Sequence, residues 1–234
     1  MAKIIWKEID SSTIPGLIIT NIPPITKPKI NTNITKIDGR DGDIIEELGY
    51  ESYTKNIGIG LARNYDINQV IKYFTGVGEL TISNEPDKIY NSRIIEKIDY
   101  EKLLRFKTAT IKFYTQPFKY LKNESPTILN VTTEKSLQVE NAGLELSKPI
   151  ITLEGTGTIE ISLNGLNKFK YIFPESESKV IIDSFKEEAY LDGVYKNRNM
   201  LGEFIKLEVG NNTIAWTGTL TKITIEPKSR WLWW

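Results

Sequence analysis

Ile150-Ile151-Thr152-Leu153-Glu154-Gly155-Thr156-Gly157-Thr158-Ile159-Glu160-Ile161-Ser162-Leu163-Asn164-Gly165-Leu166-Asn167-Lys168-Phe169-Lys170-Tyr171-Ile172-Phe173 alternates apolar and polar side chains for most of its length. A period of two is the pattern of a strand with one face in a core and the other in water. Ile151 and Leu153 share a face, as do Ile159, Ile161 and Leu163, and then Phe169, Tyr171 and Phe173. Asn164-Gly165 stands between two of these runs, and Asn-Gly favours the type I′ turn that closes a two-residue hairpin. Downstream, Val180 with Ile182, Ile214 with Trp216, and Ile223 with Ile225 continue the pattern, and Asp192-Gly193 is a second turn signal. Upstream, Ile57, Ile59 and Leu61 form one such set, and Ala109, Ile111 and Phe113 another. The chain is therefore read as mainly β.

One segment reads as a helix. Ile67, Val70, Ile71 and Phe74 fall on one apolar stripe. Asp66 can cap its start, Gln69 fits a capping-box variant, and Gly76 can take the left-handed position that ends it. So short a helix needs a sheet to pack against. Between Lys122 and Pro149 the chain turns polar, with Leu129, Val131, Leu137 and Val139 enough for one or two exposed strands. It is read as an edge strand plus linker, giving two domains, 1–122 and 123–234, a division that 234 residues allow.

Composition narrows the chemistry. The sequence contains 30 basic and 30 acidic residues, no Cys and no His. Without His or Cys there is no Ser-His-Asp or Cys-His nucleophile, and the commonest general base and metal ligands are missing. No Lys/Arg-dense block supplies the basic stripe of a duplex-binding protein. No apolar run approaches the ~20 residues of a membrane helix, and the first residues lack the apolar stretch of a signal peptide. The reading is a soluble protein made in a cytoplasm, with no cofactor, no metal and no catalytic residue, and no enzyme.

The local motifs agree. Asp38-Gly39-Arg40-Asp41-Gly42-Asp43 does not keep the ligand spacing of an EF-hand loop and reads as a Gly-supported exposed turn. Gly58-Ile59-Gly60 lacks the third glycine of a dinucleotide fingerprint, with Arg63 in its place, and reads as a strand that something approaches closely. Glu46 with Glu47, Glu187 with Glu188, and Glu203 with Glu208 are carboxylate pairs of the kind glycoside hydrolysis uses, but they read as solvated surface. Trp231, Trp233 and Trp234 crowd the last four positions. They either pack as an end strand against the chain's own core or anchor it in a partner, since left in water they would make a costly apolar patch.

In their order along the chain, these pieces resemble the distal tail protein (Dit) family of long-tailed bacteriophages and prophages. Ile37-Asp38-Gly39-Arg40-Asp41-Gly42 followed by Gly49-Tyr50 is similar to that family's Gly-Arg-Asp-Gly turn. Gly78-Glu79-Leu80 through Asp87-Lys88-Ile89-Tyr90, and then Phe113-Tyr114-Thr115-Gln116-Pro117-Phe118, resemble its next elements, with Phe118 where the family has Tyr. Asn141-Ala142-Gly143, Lys148-Pro149-Ile150-Ile151, Asn199-Met200-Leu201-Gly202-Glu203-Phe204, Val209-Gly210-Asn211-Asn212-Thr213-Ile214 and Ser229-Arg230-Trp231-Leu232 follow, with Val209 where Pro is usual.

The resemblance implies an N-terminal β-sandwich-like, ring-forming domain with one short helix, and a C-terminal galectin-like β-sandwich. It also implies a homo-hexamer in the baseplate at the virion tail tip, joining the tail tube protein to receptor-binding or lysin proteins. Asp38, Gly39, Arg40, Asp41 and Gly42, with Trp231, Trp233 and Trp234, are the candidate assembly residues, and the loop from Asp38 to Tyr53 with its flanking strands is the expected ring contact. The alternative is a carbohydrate-binding module, with Trp216 as a stacking ring; the galectin-type His is absent. A tail-associated glycosidase or peptidase is a further rival.

Overall fold

The computed structural model describes residues 2–233. Contacts divide the chain into two compact units. The first runs to Lys122 and takes in Leu232 and Trp233, and the second is Asn123–Trp231.

In the first unit the elements are β1 (Ile4–Trp6), β2 (Ile9–Asp10), β3 (Leu17–Asn21), β4 (Ile30–Thr35), β5 (Ile44–Tyr50), β6 (Tyr53–Leu61), α1 (Ile67–Tyr73), β7 (Val77–Ile82), β8 (Glu85–Arg93), α2 (Tyr100–Phe106) and β9 (Thr108–Leu121). The main sheet runs β2-β1-β7-β8-β9-β6-β3, with the pairs antiparallel. β9 spans two neighbours: its first half pairs with β6 and its second with β8. The sheet therefore curls around a core built on Trp6, Phe74 and Phe113, whose rings meet edge to face. The expected faces are the observed ones, since Ile57, Ile59, Ile111 and Phe113 are fully buried.

The α1 cap is as read: the Asp66 carboxylate accepts from the amides of Asn68 and Gln69, and the Gln69 side chain donates back to it at 3.0 Å. Val70, Tyr73 and Phe74 enter the core, and the Tyr73 hydroxyl donates to the Ile9 carbonyl at 3.1 Å. Gly76 is left-handed, but it lies two residues beyond the cap at Phe74.

A second helix, α2, goes beyond the single one expected. Leu103 is its only fully buried residue, with Tyr100 packed beside it, and about two turns hold too short a stripe for periodicity to separate from a loop. Asp99, which caps it by accepting from the Lys102 amide, was the available signal.

The second unit contains β10 (Thr127–Asn130), β11 (Ser136–Asn141), β12 (Ile150–Leu163), β13 (Leu166–Ile172), β14 (Lys179–Asp183), β15 (Glu188–Leu191), β16 (Val194–Tyr195), β17 (Met200–Gly202) and β18 (Gly210–Glu226). β12 and β18 are long partners that serve two groups of strands. Ile150–Glu154 pairs with β14 while the facing end of β18 takes β10. Beyond a register break, Thr158–Leu163 pairs with β13 while the other end of β18 takes β11. The break lies at glycines: Gly218 has φ +87°, and a Cβ there would sit 2.2 Å from the Thr158 carbonyl oxygen. Folding both strands at this point lets Ile151, Leu153, Ile223 and Ile225 share one core with Ile161, Phe169, Tyr171 and Trp216.

The stretch after Lys122 is not an exposed linker. β10 and β11 are both paired to β18, and Leu137 and Val139 lie in the core. Its polarity is that of strands whose alternate residues face water.

Candidate assembly surface

β4 and β5 pair only with each other, as a two-stranded sheet apart from the main one. Their register sets Ile30 against Tyr50, Thr32 against Glu47 and Ile34 against Ile45, with a break between Asn31 and Thr32. Directly opposed residues share a face, so Ile30, Ile34, Ile45 and Tyr50 lie on one side. Asn31, Asn33 and Glu46 lie on the other, together with Ile44.

No residue of the arm is buried. Ile34 is 54% exposed, Ile45 62% and Leu48 59%. A lone two-stranded hairpin is at best marginally stable in water, and an exposed apolar patch marks a surface that another molecule covers. Each Ile that became fully buried would add roughly 1.5–3 kcal/mol to an association.

The tip holds Asp38, Gly39, Arg40, Asp41 and Gly42, all exposed. Gly39 and Gly42 have φ of +79° and +81°, and a Cβ on either would meet nothing within 4 Å. These glycines serve the turn and not a close approach. Across residues 29–51 the arm carries six acidic residues against three basic ones.

Lys29 and Glu51 form an ion pair at 3.0 Å across the two chain ends, and the Tyr50 ring meets Phe118 edge-on at 5.7 Å. β6 begins three residues beyond Tyr50 and carries Tyr53 and Lys55 into a buried polar cluster. There Glu85 accepts from the Lys119 ammonium with one oxygen and from the Tyr90 hydroxyl with the other. Lys55 lies 4.3 Å from the Tyr90 ring centre and 5.1 Å from that of Tyr53. Burial pushes the Lys55 amine down to about 8, a fall that Glu85 opposes and Lys119 assists. Burial, reinforced by Glu85, raises the Tyr90 phenol well above its ordinary range.

The terminal tryptophans separate. Trp231 is 7% exposed and lies in the chain's own interior, the first of the two readings open to it. Trp233 is half-buried, with the Lys27 ammonium 4.7 Å from its ring centre. Trp234 lies outside the described residues. Trp216 is 3% exposed, and a ring so enclosed cannot stack on a sugar.

Of the carboxylate pairs, Glu46 and Glu47 point to opposite faces of the hairpin. Glu187, Glu203 and Glu208 come together at an open cleft of about 610 Å³ with Lys168, Lys206 and Phe204. The carboxylates of Glu203 and Glu187 are largely solvated there, 3.9 Å from the Lys168 ammonium and 3.8 Å from that of Lys148. Among the described residues no three Asp or Glu side chains are grouped so as to hold a metal ion, and no helix is long and apolar enough to cross a membrane.

No protein-family model matches the chain, and no curated protein matches it in sequence. Its backbone does match a solved structure, that of SPP1 Dit, described as a paradigm of the hub adsorption apparatus of phages that infect Gram-positive bacteria. The TM-score is 0.72, over 97% of this chain and 98% of the other, at 19% sequence identity. The chain has the fold of Dit. With coverage this complete, the likeness to Dit runs through both units, whereas identity this low leaves few side chains in common.

The sequence reads as an exposed loop from Asp38 to Tyr53; Ile44–Tyr50 of it is a strand paired with Ile30–Thr35, and neither the hairpin nor its apolar face is foreseen. Ile30, Thr32 and Ile34 read like any half-buried strand, and nothing local says that the buried half is missing. Lys55, Glu85 and Lys119 were not singled out either, since isolated charges in strands usually face water.

Proposed function

We propose that this chain is a structural subunit of a phage tail tip. Copies of it close into a six-membered hub that joins the tail tube to the proteins of host recognition or lysis. The observation that carries the reading is the end-to-end match of its backbone to SPP1 Dit, a hub protein.

The hairpin of β4 and β5 supplies a physical means of assembly. It offers an apolar face, an acidic tip with Asp38, Arg40 and Asp41, and two unpaired strand edges, which are templates for pairing with another chain. A closed ring repeats one such contact around its axis, so each copy is held on two sides and a modest contact suffices. Trp231 takes no part, because it is interior. The role calls for no catalytic group, and the absence of Cys and His from the sequence fits it.

Negative-stain microscopy of the purified protein tests the reading. Six-fold rings with a central channel are the expected particles. A field of single subunits at every concentration, or open filaments in place of rings, contradicts it.

A further inference from the structure

We infer that the outward face of the second unit carries a binding strip for an uncharged glycan, laid across six strands and ending on a pair of tyrosines. The strip lies within one unit, so the inference goes beyond the hub reading and does not depend on self-assembly.

The pairing registers define it. Ile128 of β10 stands opposite Thr224 of β18, and Thr224 opposite Thr152 of β12. Thr152 stands opposite Ile181 of β14, Ile181 opposite Tyr190 of β15, and Tyr190 opposite Tyr195 of β16. Directly opposed residues share a face, so these six side chains form one row. Their chain neighbours Ile151, Ile182, Ala189 and Ile225 are fully buried, so the row faces outward. At the usual strand spacing it is about 24 Å long. Its two ends, Ile128 and Tyr195, are 55% and 69% exposed.

The rows on either side of it are polar. One holds Glu226, Asp183 and Glu188 around Ile150. The other holds Asn130, Lys222, Glu154 and Lys179, the last two paired at 3.5 Å. The apolar strip is therefore one side chain wide, with hydrogen-bonding groups along both margins. The core of a protein–protein interface is instead a broad patch depleted of charge. A sugar chain matches the strip better. Each pyranose ring turns a C–H face to an apolar or aromatic surface and presents hydroxyls at its rim, which both donate and accept.

The charges of the margins also balance. Asp183 pairs with Lys186 at 3.5 Å and Glu226 with Lys228 at 2.8 Å. With these partners the margins carry four acids, Glu154, Asp183, Glu188 and Glu226, against four lysines, 179, 186, 222 and 228. No net field selects a charged polymer. Tyr190 and Tyr195 supply the stacking faces, and the Lys186 ammonium lies 5.6 Å from the Tyr190 ring centre as a donor beside them. The enclosed Trp216 is not needed for this role.

Affinity electrophoresis of the full chain tests the strip, in native gels containing soluble glucan, galactan, mannan or glycol chitin, with dextran sulfate as the anionic probe. At least one of the four neutral polymers should slow the wild type, and dextran sulfate should not. Tyr195 is an exposed residue of an edge strand, so its truncation leaves the core intact. Tyr195→Ala should bind about tenfold more weakly, having lost one stacked ring, whereas Tyr195→Phe should be slowed like the wild type. Tyr114→Ala, at an exposed tyrosine of the first unit, is the control and should also behave as wild type. No retardation by any neutral polymer, retardation by dextran sulfate alone, or equal retardation of Tyr195→Ala and the wild type overturns the inference. None of these outcomes bears on ring formation, which microscopy reads separately.

Discussion

Lys55, Lys119 and Glu85 put two cations and one anion into the interior of the first unit. Glu85 makes its hydrogen bonds to Lys119 and Tyr90, so Lys55, charged at neutral pH, faces the Tyr53 and Tyr90 rings and feels Glu85 without bonding to it. A buried cation without its own counter-ion costs stability, and a packed apolar side chain in its place is often an improvement. Lys55→Met should therefore raise stability at pH 7 by about 1–3 kcal/mol, read from urea unfolding; a loss of that size would mean that Lys55 has a partner function.

The pH dependence follows from a folded value of about 8 against the ordinary lysine value of 10.5. Below the folded value both states hold the proton and the full cost of burial is present. As pH rises from about 8 towards 10.5 the unfolded state binds more protons than the folded one, so the cost is progressively lifted. The advantage of Lys55→Met should shrink over that window. Glu85→Gln acts in the other direction, because it leaves two buried cations facing each other. It should cost about 3–5 kcal/mol, as broken buried pairs do, and a neutral outcome in the same unfolding experiment would show that Glu85 does not hold the cluster.

At the scale of elements, α1 and the hairpin of β4 and β5 make opposite predictions. The Asp66 side chain satisfies two amides at the start of α1, and α1 carries Val70 and Tyr73 into the core, with Phe74 as its cap. Asp66→Ala should lower global stability by removing that cap, visible as a lower urea midpoint. Ile45→Asp lies on an arm with no core residue, so the unfolding of the single subunit should change by less than about 0.5 kcal/mol. A larger loss would place the arm in the fold instead of on its surface.

The elements also show what a sequence can disclose. The strands were legible because alternation is local: Ile57, Ile59 and Leu61, or Ile159, Ile161 and Leu163, declare their inward face within five residues. The same rule missed α2, where Tyr100 and Leu103 span less than one full turn, and it misjudged β11, where Leu137 and Val139 looked too few for a core strand. The arm is the sharpest case. β4 follows the local rule of half-buried β structure, whereas β5, with Ile44-Ile45-Glu46-Glu47, does not alternate, and in the proposed assembly the surface that buries them belongs to another copy. A strand's partner is not encoded in the strand, so the exposed face of Ile34 and Ile45 appears only when the pairing of the whole sheet is known.

For the whole molecule, a backbone likeness to a hub protein coexists with 19% identity. The proposed structural role would permit that, since a ring contact needs complementary shape and charge but no fixed constellation of reacting atoms. The account depends on one claim: copies of this chain associate through the arm. The direct test is the mass in solution of the wild type and of Ile34→Asp/Ile45→Asp, by light scattering at matched concentration. The wild type should reach about 160 kDa, six subunits of 26.7 kDa in a closed ring, and the variant should stay at 26.7 kDa while remaining folded. A variant that assembles to the same mass as the wild type, or a wild type that never leaves 26.7 kDa, would contradict the account.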